Sequence, residues 1–106
     1  MNEKYMIKVW FEHGGECFWG MNKAAKEKYN YPIAPELLPI SEETKAIANS
    51  MNKAYRTAYD WNDFSKGTVW TEAQIEEFEK KSQNLAIRLQ KVLGDDFIIK
   101  YEATFY

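Results

Sequence analysis

The segment from Trp70 to Gly94 constrains the fold more than any other. Thr71 to Gln74 reads T-x-x-Q, a capping box in which two side chains satisfy backbone N–H groups left open by the first helical turn. Trp70 and Ile75 flank it at the spacing of a hydrophobic staple. Ile75, Phe78, Leu85, Leu89, Val92 and Leu93 follow at helical spacing, interrupted only by Ser82. Glu76–Lys80 and Glu77–Lys81 are favourable i,i+4 pairs on the other side. Gly94 stands where left-handed backbone ends a helix. A long helix with one apolar stripe must lay that stripe on something, and the rest of the chain has to supply it.

Both ends of the chain alternate instead. From Tyr5 to His13, Tyr5, Ile7, Val9 and Phe11 point one way and Met6, Lys8, Trp10 and Glu12 the other. At the far end, Phe97, Ile99, Tyr101, Ala103 and Phe105 share a face opposite Ile98, Lys100, Glu102, Thr104 and Tyr106. Each reads as a strand. Gly14-Gly15 ends the first and suits a hairpin turn, with Glu16 to Trp19 as a short return strand. Asn22 is placed to cap a short helix over Lys23 to Tyr29, stopped by Pro32. NYPIAPELLPI, residues 30 to 40, holds all three prolines and reads as an extended linker. Ser41 then caps a helix with Glu42 and Glu43 in its first turn. Ile47, Met51, Ala54, Tyr55 and Ala58 give that helix its apolar face, and it should end near Trp61, before a loop broken at Gly67. The pattern predicts one α+β domain over residues 1–106. A small two- or three-stranded sheet is covered by a pair of long antiparallel helices plus one short helix.

A domain of 106 residues buries roughly two-thirds of the surface its unfolded chain exposes, so one core suffices. The single cysteine forms no internal bridge, and nothing implies an oxidising compartment. The N-terminus, MNEKYMIKVWF, lacks the apolar run of a signal peptide, and no stretch approaches a membrane span. The expected compartment is the cytoplasm. Fourteen Lys+Arg against 16 Asp+Glu give a net charge of −2, which offers no reason to expect nucleic-acid binding. Four Trp, seven Tyr and six Phe are too many rings for a small interior, so some lie partly at the surface.

The only His and the only Cys stand in HGGECFWG, residues 13 to 20. A thiol site needs a base within reach and a third group to orient it. His13 continues a strand, and no helix starts directly after Cys17 to lower its pKa. Cys17 reads as a packed residue. Gly15 and Gly20 match G-x-x-x-x-G, but Met21-Asn22 stand where a phosphate loop needs Lys and then Ser or Thr. One His and one Cys make no structural zinc site. Asp60, Asn62 and Asp63 start like a calcium loop, but Phe64 and Ser65 break it. The doublets Glu42-Glu43, Glu76-Glu77 and Asp95-Asp96 do not face each other as an acid–base pair would. No catalytic group, metal or cofactor is predicted.

Surfaces remain. DWNDFSKGTVW, residues 60 to 70, sets Trp61, Phe64 and Trp70 among Asp60, Asp63 and Glu72. These rings either plug the open end of the helix pair or stand out as anchors ringed by charge, the make-up of a protein-binding hot spot. Glu72 to Glu79 carries four of the seven acids in residues 71–106. That run is either a solvated helix face or the meeting point for a basic partner. Near the first turn, the outward ring of Phe18 and Trp19 is a further place for a contact.

Val9-Trp10-Phe11, Gly14-Gly15, Cys17, Trp19, Tyr31 with Ile33, Leu38-Pro39, Ser41, Asp60-Trp61 and Trp70-Thr71-Glu72 span nearly the whole chain. In this layout the chain resembles a group of small bacterial proteins. In size, charge and lack of a catalytic constellation it is similar to the immunity proteins of polymorphic-toxin systems. These include the immunity proteins of contact-dependent growth inhibition. The resemblance implies a non-enzymatic protein that binds and blocks a cognate toxin C-terminal domain, often a nuclease. A nuclease is basic where it holds phosphates, so an acidic inhibitor suits that surface. The residues expected to bind it are Trp61, Asp63, Phe64, Glu72, Glu76 and Glu79. Two other readings stand beside this one. One is a small thiol-dependent enzyme using Cys17 and His13. The other is a homodimeric adaptor joined through an open sheet edge.

Overall fold

The structure, a computed structural model, describes residues 3–12, 16–59 and 67–103. The alternating N-terminal segment forms β1, Tyr5–Val9. It pairs antiparallel with β2, Phe18–Gly20, with Val9 opposite Phe18 and Ile7 opposite Gly20. The chain then makes α1, Lys23–Tyr29, and a two-residue strand β3, Pro32–Ile33. A single turn of 3-10 helix at Pro35–Leu37 leads to α2, Glu42–Tyr55. The long helix α3 is Glu72–Leu93, and β4 is Phe97–Tyr101.

Among the described residues the sheet has four strands in the order β3-β2-β1-β4, not two or three. The extra strand lies in the proline-rich segment, where β3 pairs with β2 through Phe18 and Ile33. A proline is tolerated there because β3 is an edge strand, which need not donate on both sides. β4 runs parallel to β1, Tyr5 beside Phe97 and Val9 beside Tyr101. A parallel pair needs a long crossover, and α1, α2 and α3 lie within it.

The register sorts the strands into two faces. Tyr5, Ile7, Val9, Phe18, Ile33, Phe97, Ile99 and Tyr101 share one face, and all of them belong to or pack against the buried core. The helices cover this face. Phe11, just past β1, meets Phe78 of α3 at 4.9 Å edge-on and Tyr55 of α2 at 6.1 Å. Tyr29 of α1 meets Tyr5 at 5.4 Å. Asn22 fixes α1 to the sheet: its Oδ1 accepts from Ala25 N at 3.0 Å and Met6 N at 3.2 Å, and its Nδ2 donates to the Lys4 carbonyl.

Helices α2 and α3 run in opposite directions but are unequal, 14 against 22 residues. Arg88 of α3 meets the start of α2, donating from Nε to Thr44 Oγ1 at 2.9 Å and pairing with Glu43 at 3.2 Å. At the other end, Trp70 packs on Phe78 at 5.1 Å and donates from its indole to Thr57 Oγ1. Val92, expected in the apolar stripe, is exposed because the turn after Arg88 runs beyond the start of α2. Ser82, the interruption in that stripe, is fully buried and donates its hydroxyl to the Phe78 carbonyl at 2.9 Å. Helix α2 stops at Tyr55, short of Trp61. There Val69 N and Thr68 Oγ1 donate to the Ala58 carbonyl, and Tyr59 bridges Thr68. The capping box on α3 is present in full.

Candidate functional site

Trp61, Asp63 and Phe64 lie outside the described residues, as do Asp60 and His13. Glu72 and Glu76 are exposed on the first turns of α3. Glu79 falls on the same stripe, one turn on, by i,i+4,i+7 spacing. It is half-buried and accepts a hydrogen bond from the Tyr101 hydroxyl, so the acidic row reaches the sheet. Burial first, and then the Glu79 carboxylate, push the Tyr101 pKa up, which keeps its hydroxyl protonated as the donor. Glu77 faces a neighbouring stripe and pairs with Lys81 at 3.2 Å. The structure therefore brings Glu72, Glu76 and Glu79 together on one side of α3 and adds Tyr101 to them.

Two further surfaces stand out. Between α2 and α3 runs an open groove of about 540 Å3 with Ala46, Ile47, Met51 and Leu85 in its floor. Lys81 and Arg88 stand at its rim with Glu43. The second is the sheet face turned away from the helices. There Trp10 and Trp19 lie 6.0 Å apart, and Trp19 lies 5.1 Å from Tyr31. The Trp19 indole donates to the Trp10 carbonyl at 2.8 Å, and Lys8 sits over the Trp10 ring at 4.8 Å. Tyr31 and Met21 at its margin are exposed. Of Phe18 and Trp19, one of which is expected to turn outward, Trp19 takes this face but is only 7% exposed, and Phe18 is wholly in the core. The sequence carries part of the signal for this cluster, since alternation sets Trp10 opposite Ile7 and Val9. It lacks the register that puts Trp19 next to Trp10.

Cys17 is a core residue. It is fully buried, and burial, with Glu16 adding to it, pushes its thiol pKa up, away from the thiolate a nucleophile requires. Its neighbour Glu16 is also shifted up, by burial and by Glu36, and one of its oxygens is buried without a hydrogen-bond partner among the described residues. Among those residues no group of three or more acids, Cys or His is placed to hold a metal ion. No described helix is long and apolar enough to cross a membrane.

The arrangement offers surfaces for a macromolecule: an acidic helix row, an interhelical groove and an aromatic sheet face. Among curated proteins the chain has no match. Over residues 5–104, however, it matches the family model described as Serratia CdiI immunity protein-like, and with nearly its whole length covered the chain belongs to that family.

Proposed function

We propose that this chain neutralises a cognate toxin domain by tight binding in the cytoplasm, without catalysis of its own. The toxin is a nuclease, and the inhibitor occupies its basic, phosphate-holding surface. Membership of the immunity family supports the toxin as partner. The observation that carries the mode of binding is the row Glu72, Glu76 and Glu79 on one side of α3, its first two members exposed to solvent. Oriented acids of one sign attract a basic patch over a distance and reject wrong partners, which raises the association rate more than it deepens the final complex. Trp61 and Phe64, in the connection leading to α3, supply the aromatic anchors that charge alone lacks, with Asp63 between them as a further acid.

The test is co-expression with the toxin domain encoded beside this gene. The wild-type chain should restore growth and co-elute with the toxin on a sizing column. The double variant Glu72→Lys, Glu76→Lys should fold normally, since both positions are exposed, and associate about tenfold more slowly or worse at low salt. Unrelieved toxicity together with no complex for the wild-type chain would refute the reading.

A further inference from the structure

Among the described residues β4 is an edge strand, and the structure shows which of its backbone groups are engaged. Tyr5 N donates to the Asp96 carbonyl and Glu102 N to the Val9 carbonyl. With the parallel register, residues 96, 98, 100 and 102 therefore bond inward to β1, and Phe97, Ile99 and Tyr101 present their N–H and C=O groups outward. Gln90 of α3 covers the beginning of this edge like a fragment of a fifth strand. Its Nε2 donates to the Phe97 carbonyl at 2.7 Å, and its Oε1 accepts from Ile99 N at 3.0 Å. The cover ends there. No hydrogen bond among the described residues engages the Ile99 carbonyl or the Tyr101 N–H.

Beside this open stretch lies a cleft of about 420 Å3 between α3 and β4. It is lined by Gln83, Ala86, Ile87 and Gln90 on the helix and Ile99 and Tyr101 on the strand. Ile87 is 66% exposed, a large apolar side chain held at the mouth. Because β4 returns antiparallel to α3, a strand laid on its edge and continued past Tyr101 passes Glu79, Glu76 and Glu72 in turn. Lys80 is the base on the adjoining stripe. Unpaired edge groups, an apolar socket for alternate side chains and a run of acids beyond are together the features of β-strand addition by a basic peptide.

We propose that the edge of β4 from Ile99 to Ala103 receives an extended, basic segment of the toxin domain. The segment pairs with the Ile99 carbonyl and the Tyr101 N–H, places an apolar side chain against Ala86 and Ile87, and sets Lys or Arg opposite Glu76. This rests on the proposed toxin-binding function and deepens it, since it names the backbone groups and the conformation of the partner.

The test is residue-resolved amide hydrogen exchange of the intact chain, alone and with the toxin domain encoded beside its gene. The Tyr101 amide should exchange freely in the chain alone and slow by about tenfold or more in the complex. Ile87→Arg, at an exposed position, should leave thermal stability unchanged and weaken the complex about tenfold. A complex that forms with the Tyr101 amide still unprotected, or that is indifferent to Ile87→Arg, overturns the strand-addition proposal and leaves the immunity reading standing. Protection that appears without toxin as protein concentration rises assigns the edge to a second copy of this chain and overturns it too. No complex at all removes the toxin-binding reading itself, and this one with it.

Discussion

Gly20→Ala should be among the most damaging small substitutions in the molecule, and the reason is proximity, not backbone conformation. Gly20 ends β2 on the helix-covered face, where α1 crosses it. A Cβ built there stands 2.5 Å from the Asn30 carbonyl, 3.2 Å from Lys26 N and 3.3 Å from Ala25 C, all backbone atoms. Ordinary contact begins near 3.4 Å, so the end of α1 has to retreat by about 0.9 Å. That retreat is resisted. Asn30 N is bonded to Lys26 O at 3.0 Å, and Gly20 N holds the Tyr31 carbonyl at 2.7 Å. Moving Asn30 therefore strains the β2–β3 connection as well. Overpacking costs typically about 1–3 kcal/mol, and with backbone on every side the upper half of that range applies. In a domain of this size about 2–3 kcal/mol lowers Tm by roughly 10–20 °C. Urea unfolding followed by tryptophan fluorescence measures it. Gly94→Ala is the control: nothing lies within 4 Å of its Cβ, but φ is +81°, so it should cost about 1 kcal/mol through conformation alone. If Gly20→Ala unfolds within about 0.5 kcal/mol of wild type, the packing argument is wrong.

Phe11→Ala removes the ring that joins β1 to both long helices and should cost about 3–5 kcal/mol in urea unfolding. Ser82→Ala should change stability by less than about 1 kcal/mol, because the Phe78 carbonyl keeps its helical hydrogen bond when the hydroxyl goes. Glu16 has its pKa raised above 4.5 in the fold, by burial and by Glu36. Between the unfolded and folded values the native state holds more protons, so this group's contribution to stability falls as pH rises through that window. Glu16→Gln should abolish that component of the slope and be the more stable protein at neutral pH, as read from urea midpoints across a pH series.

Local chemistry makes α3 legible from end to end. A capping box, a stripe and a terminal glycine act within one or two turns and set its span, although Val92 is left exposed where α3 runs beyond the start of α2. The same holds for Asn22 and Ser41, whose side chains cap the helices expected of them. The departures arise at longer range. β3 is two residues inside a proline-rich segment, and only its pairing with β2 makes it a strand. Helix α2 ends earlier than its apolar spacing implies because Ala58 gives its carbonyl to Thr68 and Val69, residues across a connection whose return the sequence does not encode locally.

The candidate sites divide along the same line. Glu72, Glu76 and Glu79 share a helix face at fixed spacing, so the spacing alone makes their row legible. The contact between Glu79 and Tyr101 is not legible in that way, since the partners are 22 positions apart and belong to different elements. The edge of β4 is a stronger case. Alternation says which side chains of a strand face a core, but not which backbone groups are left over. Those are fixed by the neighbour, and here by its direction as well. Had β4 paired antiparallel with β1, the groups turned outward would follow a different pattern, and Gln90 would cover a different part of it. One side-chain amide thus decides how much of the edge is closed, and it sits on an otherwise ordinary helical position. A binding surface made of main-chain groups is invisible to motif reading for this reason: its specificity lies in topology, and the residues that carry the topology are spread from Tyr5 to Tyr101.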